Sequence, residues 1–311
     1  MEKQAVTKTA KIWVVGGGKG GTGKTFITSS LGIYLSKKRK KRVILIDGDL
    51  GGANLHSMFG IKQPKRSLND FFESKVPLEQ VKIETGIDNL TLIAGDIHSL
   101  AVDNIRYYQK LKLFRQIQKL NAQYILIDVG GGSHYNIIDT FLFADKGIAV
   151  LTPETLAVEN MYQFMKNAIY RNLRMTLRAS GFRGLAQETW TDREEKKISN
   201  IRELIDFFIG LPETGTLIKD AFSNFKIYLI LNKIREMQDV HLGASIKSTF
   251  MKYLGIDVLY VGFLEFNDLI RHSTLNQRPF LMDHPESRLA TEIEIFAENL
   301  LLGNEINLWE E

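Results

Sequence analysis

The stretch Gly16-Gly17-Gly18-Lys19-Gly20-Gly21-Thr22-Gly23-Lys24-Thr25 decides the fold of this chain. Ile12-Trp13-Val14-Val15, just before it, is a short apolar run that reads as a buried strand. Phe26 to Ser36, just after it, carries Phe26, Ile27, Leu31, Ile33, Tyr34 and Leu35, a pattern suited to a helix packed on a sheet. Strand, glycine loop and helix is the setting a phosphate-binding loop requires, and Gly18 to Thr25 fits G-x-x-x-x-G-K-[ST] in full. Glycines let successive backbone N–H groups point into one concavity without Cβ clashes, which makes an anion nest at a helix N-terminus. Lys24 is expected to neutralise β- and γ-phosphate oxygens, and the Thr25 hydroxyl to ligate Mg²⁺.

Two further strand ends supply carboxylates. Val43-Ile44-Leu45-Ile46 runs into Asp47-Gly48-Asp49, whose two aspartates share a side of an extended chain. Tyr124-Ile125-Leu126-Ile127 ends at Asp128, the pattern in which a carboxylate holds Mg²⁺ through water. In parallel sheets, ligands bind outside the C-terminal ends of the strands, where all three aspartates fall. Additional strands are expected at Leu90–Ile93, Gly147–Leu151, Phe225–Leu231 and Val258–Gly262. Helices are expected at Ser67–Phe72, Tyr107–Leu120, roughly 155–170 and Ser287–Leu301. The sum is one doubly wound α/β domain over residues 1–311, with about seven or eight mostly parallel strands.

Lys19 adds a second lysine to the loop, and Lys-Gly-Gly-Thr-Gly-Lys-Thr resembles the deviant Walker A loop of the MinD/ParA family of P-loop ATPases. Asp47-Gly48-Asp49-Leu50-Gly51-Gly52-Ala53-Asn54 resembles the "D-x-D-L-G-x-x-N" segment of MinD-like and flagellar FlhG/FleN-like proteins, and Thr152-Pro153-Glu154 their "T-x-P-E" connection. Tyr260 to Phe266, with Arg271 and Gln277-Arg278-Pro279-Phe280, is similar to the same branch, although Glu265 stands where proline is usual. After Asp128 the family pattern "D-T-A-A-G" keeps only its aspartate and Gly132, with Gly130 and Gly131 replacing its interior.

The resemblance implies ATP hydrolysis by attack of water on the γ-phosphate, with ATP and Mg²⁺ as ligands and an ATP-dependent homodimer as the working form. It implies that Lys19 reaches the partner subunit's nucleotide and that Asp49 orients the water. It also implies that Gly18, Lys19, Gly20, Gly21, Thr22, Gly23, Lys24, Thr25, Phe26, Gly132 and Asn232 surround the nucleotide, Asn232 at the adenine. Lys19, Lys24 and Asp49 are the catalytic set; Thr25 and Asp128 organise the metal. Asn232-Lys233-Ile234-Arg235 also tests for guanine: where N-K-x-D has its acceptor aspartate, Arg235 has none, so guanine readout is disfavoured.

Relatives of this loop join the elements around residues 172–224 in far fewer residues. Ile198, Ile201, Leu204, Ile205, Phe208 and Ile209 recur there at helical spacing, which predicts a helical insertion that either pads the core or receives a protein partner. Composition narrows the rest. There are no cysteines, which fits a reducing cytoplasm and excludes the thiolate chemistry of the iron-protein reductases, iron–sulfur scaffolds and arsenite pumps that share the loop. A net charge of +4 is too small an excess to declare a nucleic-acid binder. No run approaches the ~18 to 20 apolar residues that span a bilayer, and residues 1–11 lack the apolar core of a secretory signal. The basic run Lys37–Arg42 suits a solvated helix end. The last helix is followed by glutamates, including Glu310 and Glu311, so stable membrane anchoring is not supported. Two other functions remain open: a ParA-like DNA-partitioning ATPase, for which DNA binding is possible but not favoured, and a nucleotide-sensing regulator with little turnover.

Overall fold

The structure, a computed structural model, describes residues 10–49, 52–95, 107–223 and 225–307. Leu50, Gly51, Glu310, Glu311 and the first nine residues, on which some of the expectations above fall, lie outside them.

The chain opens with β1 (Lys11–Gly16), α1 (Lys24–Ile33, continued by a π-turn over Tyr34–Lys38), β2 (Val43–Asp47) and the short α2 (Leu68–Phe72). The Ser67 hydroxyl caps α2 by accepting the Asn69 N–H while the Asp70 carboxylate accepts the Ser67 N–H, a complete capping box. Then come β3 (Ile83–Ile87), β4 (Leu90–Ile93), α3 (Tyr107–Ile117), β5 (Tyr124–Asp128), α4 (Tyr135–Leu142), β6 (Lys146–Leu151) and the long α5 (Thr155–Ala179). Three helices follow, α6 (Leu185–Thr191), α7 (Ile201–Gly210) and α8 (Gly215–Ser223), then β7 (Lys226–Ile234), α9 (Leu242–Leu254) and β8 (Asp257–Glu265). The described chain closes with α10 (Leu269–Leu275), α11 (Phe280–Asp283) and α12 (Arg288–Leu302).

The strands make one eight-stranded sheet in the order β3-β4-β2-β5-β1-β6-β7-β8. All neighbours are parallel except β3 and β4. The central strands are buried along their length, as a parallel sheet covered on both faces requires. One core, on the α3–α9 side, holds Val14, Ile46, Ile127, Phe141 and Phe164; the other, under α1 and α12, holds Val15, Leu31, Leu45, Leu126 and Phe296. The winding order reverses about β1, with β5 on one side and β6 on the other, so the loop after β1 opens into the crevice where such folds bind ligands.

The edge strand β3 is not marked in the sequence. Its five residues alternate between half-buried and exposed and include Glu84 and Gly86, so there is no apolar run to find. It is held by a tight turn to β4 with Asn89 left-handed at φ 63°. Helix α5 runs to Ala179, past the expected end near 170, because Ile169, Leu173 and Leu177 continue its buried stripe and the first left-handed glycine is Gly181.

The apolar stripe of residues 198–209 is a core stripe. Ile198, Ile201, Leu204, Ile205 and Phe208 are buried together with Leu173 and Leu177 of α5 and Phe250 and Leu254 of α9, and only Ile209 is exposed. That face is therefore closed to a docking partner. The basic run is not simply solvated either. Arg39 donates its Nε–H to Glu298 of α12 at 2.8 Å, Tyr34 donates its hydroxyl to the same carboxylate, and Lys38 lies 3.9 Å from Glu294. Leu289, Ile293, Phe296 and Leu300 turn the other face of α12 into the core.

Candidate functional site

Four segments meet at the C-terminal end of the central strands: the loop Gly17–Gly23, the Asp47–Asp49 segment, Asp128 with the glycines after it, and the end of β7. Gly23 enters α1 with φ 94°, and a Cβ there would lie 2.1 Å from the Asn232 amide nitrogen, so both conformation and space demand glycine. Gly18 lies against the Asn160 carbonyl of α5, and Thr22 is buried.

Asp47 and Asp128 are register partners on β2 and β5, both buried. Thr25, in the first turn of α1, donates its hydroxyl to Asp128 Oδ2 at 2.6 Å, and Thr28 donates to Oδ1 at 3.3 Å. Asp47 accepts the Leu55 and Asp49 N–H groups at 2.9 and 3.2 Å, which fixes the segment carrying Asp49. Desolvation pushes the Asp47 carboxyl up to about 6, against the pull of those N–H groups. It pushes Asp128 up to about 7, reinforced by the Asp47 charge and opposed by the Thr25 hydroxyl. Lys24 is buried; desolvation lowers its pKa while Asp128 and Asp49 counter the shift. Its ammonium donates to the Lys19 carbonyl at 3.0 Å.

The glycine segment lies directly on this cluster. A Cβ on Gly130 would sit 2.8 Å from Asp49 Oδ1, and one on Gly131 would sit 2.6 Å from the Gly20 amide nitrogen. Gly132 has φ 114°. Lys19 forms an ion pair at 2.7 Å with Glu154, whose carboxyl is held below its ordinary value chiefly by that hydrogen bond.

Two side chains of the expected nucleotide set are engaged within the chain. Phe26 packs edge-on against Phe280 of α11, ring centroids 5.9 Å apart, so its side chain belongs to the core and only its backbone belongs to the loop's helix turn. Asn232 was expected at the adenine. It is 3 % exposed, gives its amide N–H to the Thr22 carbonyl at 2.8 Å, and accepts the Lys233 N–H at 2.9 Å, which makes it a fastening of the loop. Beyond it, the Arg235 guanidinium stacks 3.8 Å from the Phe266 ring centroid. Arg235, Phe266, Met237 and Glu265 line a cavity of about 280 Å³ between the ends of β7 and β8. Glu265 is tied to α12 through Arg288 and through its own N–H to Glu292. Sequence reasoning did not assign Lys233 or Phe266. The Asn-Lys pair after an apolar strand was the available signal for Lys233, and Phe266 had none.

The donor set suits a hard cation beside phosphate. The Thr25 hydroxyl and Asp128 carboxylate offer adjoining oxygens, with the Asp47 carboxylate beside them on β2. Among the described residues no group of three or more His, Asp or Glu side chains is placed to hold a metal alone.

Residues 13–279 match the family described as the CobQ/CobB/MinD/ParA nucleotide binding domain. The chain belongs to that family. Within the CobQ/CobB/MinD/ParA family, its relatives lie on the FleN/MinD branch. The septum site-determining protein MinD of Synechocystis is 32% identical over 152 residues, covering 48% of this chain and 56% of that protein. The antiactivator FleN of Pseudomonas aeruginosa is 24% identical over 214 residues, covering 68% and 74%. The chain spans about half the length of the curated MinD relatives it matches. In fold it is similar to MinD of Pyrococcus horikoshii complexed with Mg-ADP, with TM-score 0.64, 22% identity, and 94% and 98% of the two chains covered. It is similar also to MinD in the MinC:MinD complex of Aquifex aeolicus, with TM-score 0.61, 21% identity, and 96% and 98% covered. Among the described residues no helix is long and apolar enough to cross a membrane.

Proposed function

We propose that this protein is an Mg²⁺-dependent ATPase that acts as an ATP-switched homodimer in positioning a cellular structure. The observation that carries this is the joining of Thr25 to Asp128 at 2.6 Å under a glycine loop that also holds Lys19 and Lys24, with Asp49 set beside it. Thr25 and Asp128 would hold the cation, which when bound would screen the phosphate charge. Lys24 Nζ exchanges the Lys19 carbonyl for phosphate oxygens. Asp49, braced by Asp47 through its own N–H, orients the attacking water. Lys19 leaves Glu154 to reach across to the second subunit. The whole chain, 1–311, is one ATPase domain, and the helices of 172–224 are an insertion whose solvent-facing side, not its apolar stripe, is left for a protein partner.

Three substitutions test this together. Lys24→Ala should weaken ATP binding itself. Lys19→Ala should bind ATP but fail to dimerise and turn over. Asp49→Ala should bind and dimerise yet hydrolyse ~10² to 10⁴-fold more slowly, about 3 to 5 kcal/mol in the barrier. Sedimentation with ATP and phosphate release separate the three outcomes; normal dimerisation and hydrolysis by Lys19→Ala would refute the cross-subunit role. The regulator alternative rests on the name of the relative FleN, an antiactivator, and is distinguished by absence of turnover with any partner present. The DNA alternative is weakened by the basic run, part of which is paired to α12.

A further inference from the structure

Three carbonyl groups of the loop are held by side chains. Lys24 Nζ holds the Lys19 carbonyl at 3.0 Å, Lys233 Nζ holds the Gly21 carbonyl at 2.8 Å, and Asn232 Nδ2 holds the Thr22 carbonyl at 2.8 Å. Two of these donors are consecutive residues at the end of β7. Neighbours in a strand point to opposite faces, so they do not ordinarily reach one loop together. Here the chain turns: Lys233 is left-handed at φ 63°, uncommon for a residue with a Cβ, and the β7–β8 register slips between Leu231 and Ile234.

A peptide group is planar and trans, so its C=O and the N–H of the next residue point in opposite directions. Drawing the Gly21 carbonyl toward Lys233 therefore turns the Thr22 N–H the other way, and drawing the Thr22 carbonyl toward Asn232 does the same for the Gly23 N–H. These are two donors of the anion nest. Lys24 is the donor expected to exchange its carbonyl for phosphate, whereas Lys233 reaches the Gly21 carbonyl from outside the loop. Asn232 is buried, whereas Lys233 is exposed and is the accessible half of the pair.

We infer that Lys233, with Asn232, is a positioning residue of the phosphate site, fixing the direction of the Thr22 and Gly23 N–H groups and so the time a nucleotide stays bound. The inference rests on the nucleotide reading under Proposed function. Lys233 acts through the Gly21 carbonyl and touches no phosphate.

The test is the release rate of a fluorescent ADP analogue with Mg²⁺ from the full chain, measured beside the Tm of each ligand-free variant. Lys233→Met keeps the stem and removes the donor. Lys233→Gly removes the donor and also relieves the left-handed backbone. Lys233→Arg restores a donor. Loss of one charge-assisted hydrogen bond predicts release about tenfold faster in both the Met and Gly variants, with the Arg variant close to wild type. The Gly variant should release faster without losing Tm, which a merely structural role would not produce. Release that is unchanged in both donor-less variants, faster only with Met, or in step with Tm overturns the inference. If the wild-type chain takes up no ADP or ATP, the nucleotide reading itself fails and this one with it.

Discussion

Replacing Gly131 with alanine tests the closeness of the glycine segment to the phosphate loop. The added Cβ would lie 2.6 Å from the Gly20 amide nitrogen, 2.8 Å from the Lys19 carbonyl carbon and 3.0 Å from Gly20 Cα. All three are backbone atoms, so no side chain can rotate away, and two main chains must part by most of an ångström. Overpacking of this kind costs about 1–3 kcal/mol. The fair control is Gly210→Ala, where nothing lies within 4 Å of the new Cβ. Both substitutions restrict the unfolded chain equally, which alone stabilises by about 0.4–1 kcal/mol. Their difference therefore isolates the contact. Urea unfolding of the ligand-free proteins should place the Gly131 variant about 1–3 kcal/mol below the Gly210 variant, at the same m-value. Equal midpoints would refute the contact and leave Gly131 as an unconstrained linker. The family pattern carries alanine here, so the result also tells whether this chain closes its site more tightly than the pattern allows.

The stability of the ligand-free protein should fall as pH rises from about 4 to about 7. The Asp128 carboxyl sits at about 7 in the fold against an ordinary 3.8, with Asp47 at about 6, so both contributions are full below 3.8 and are lost as pH passes through the folded values. Asp128→Asn should flatten that profile in a thermal scan; an unaltered slope would count against burial as its cause. Phe208→Ala should cost about 3–5 kcal/mol, and removal of 185–218 should unfold the protein instead of merely uncoupling a partner, as circular dichroism would register. ATP should outcompete GTP in equilibrium binding, because Arg235, stacked on Phe266, offers a base no acceptor; equal or tighter GTP affinity would refute it.

How much of this was legible in the sequence follows from what each residue answers to. Parallel strands buried on both faces are written as apolar runs, so β1, β2, β4, β5, β6, β7 and β8 could be placed within a few residues. β3 could not, because an edge strand with one wet face has no such run. The loop, Thr25 and Asp128 were legible because their spacing is set by local phosphate and strand geometry. The ion pair of Lys19 with Glu154 and the clasp of Lys233 on Gly21 join residues 135 and 212 positions apart, and no local pattern encodes such distances. The stripe of residues 198–209 was read as helical and is so from Ile201 on, with Ile198 packing ahead of the Asn200 cap, yet periodicity gives the apolar face without naming what covers it.

Helix α1 begins in the phosphate loop and ends in the grip of α12, where Glu298 receives both Tyr34 and Arg39. Between those ends, every residue from Phe26 to Ser36 is buried. A rod pinned at its far end and jacketed along its length is a post, not a piston. Strain set up in the loop has little passage along it toward the opposite end of the sheet. The loop's other neighbour is the Gly130–Gly132 bend, which leads into α4, whose Asp139 is braced by Lys110 of α3 and Arg171 of α5.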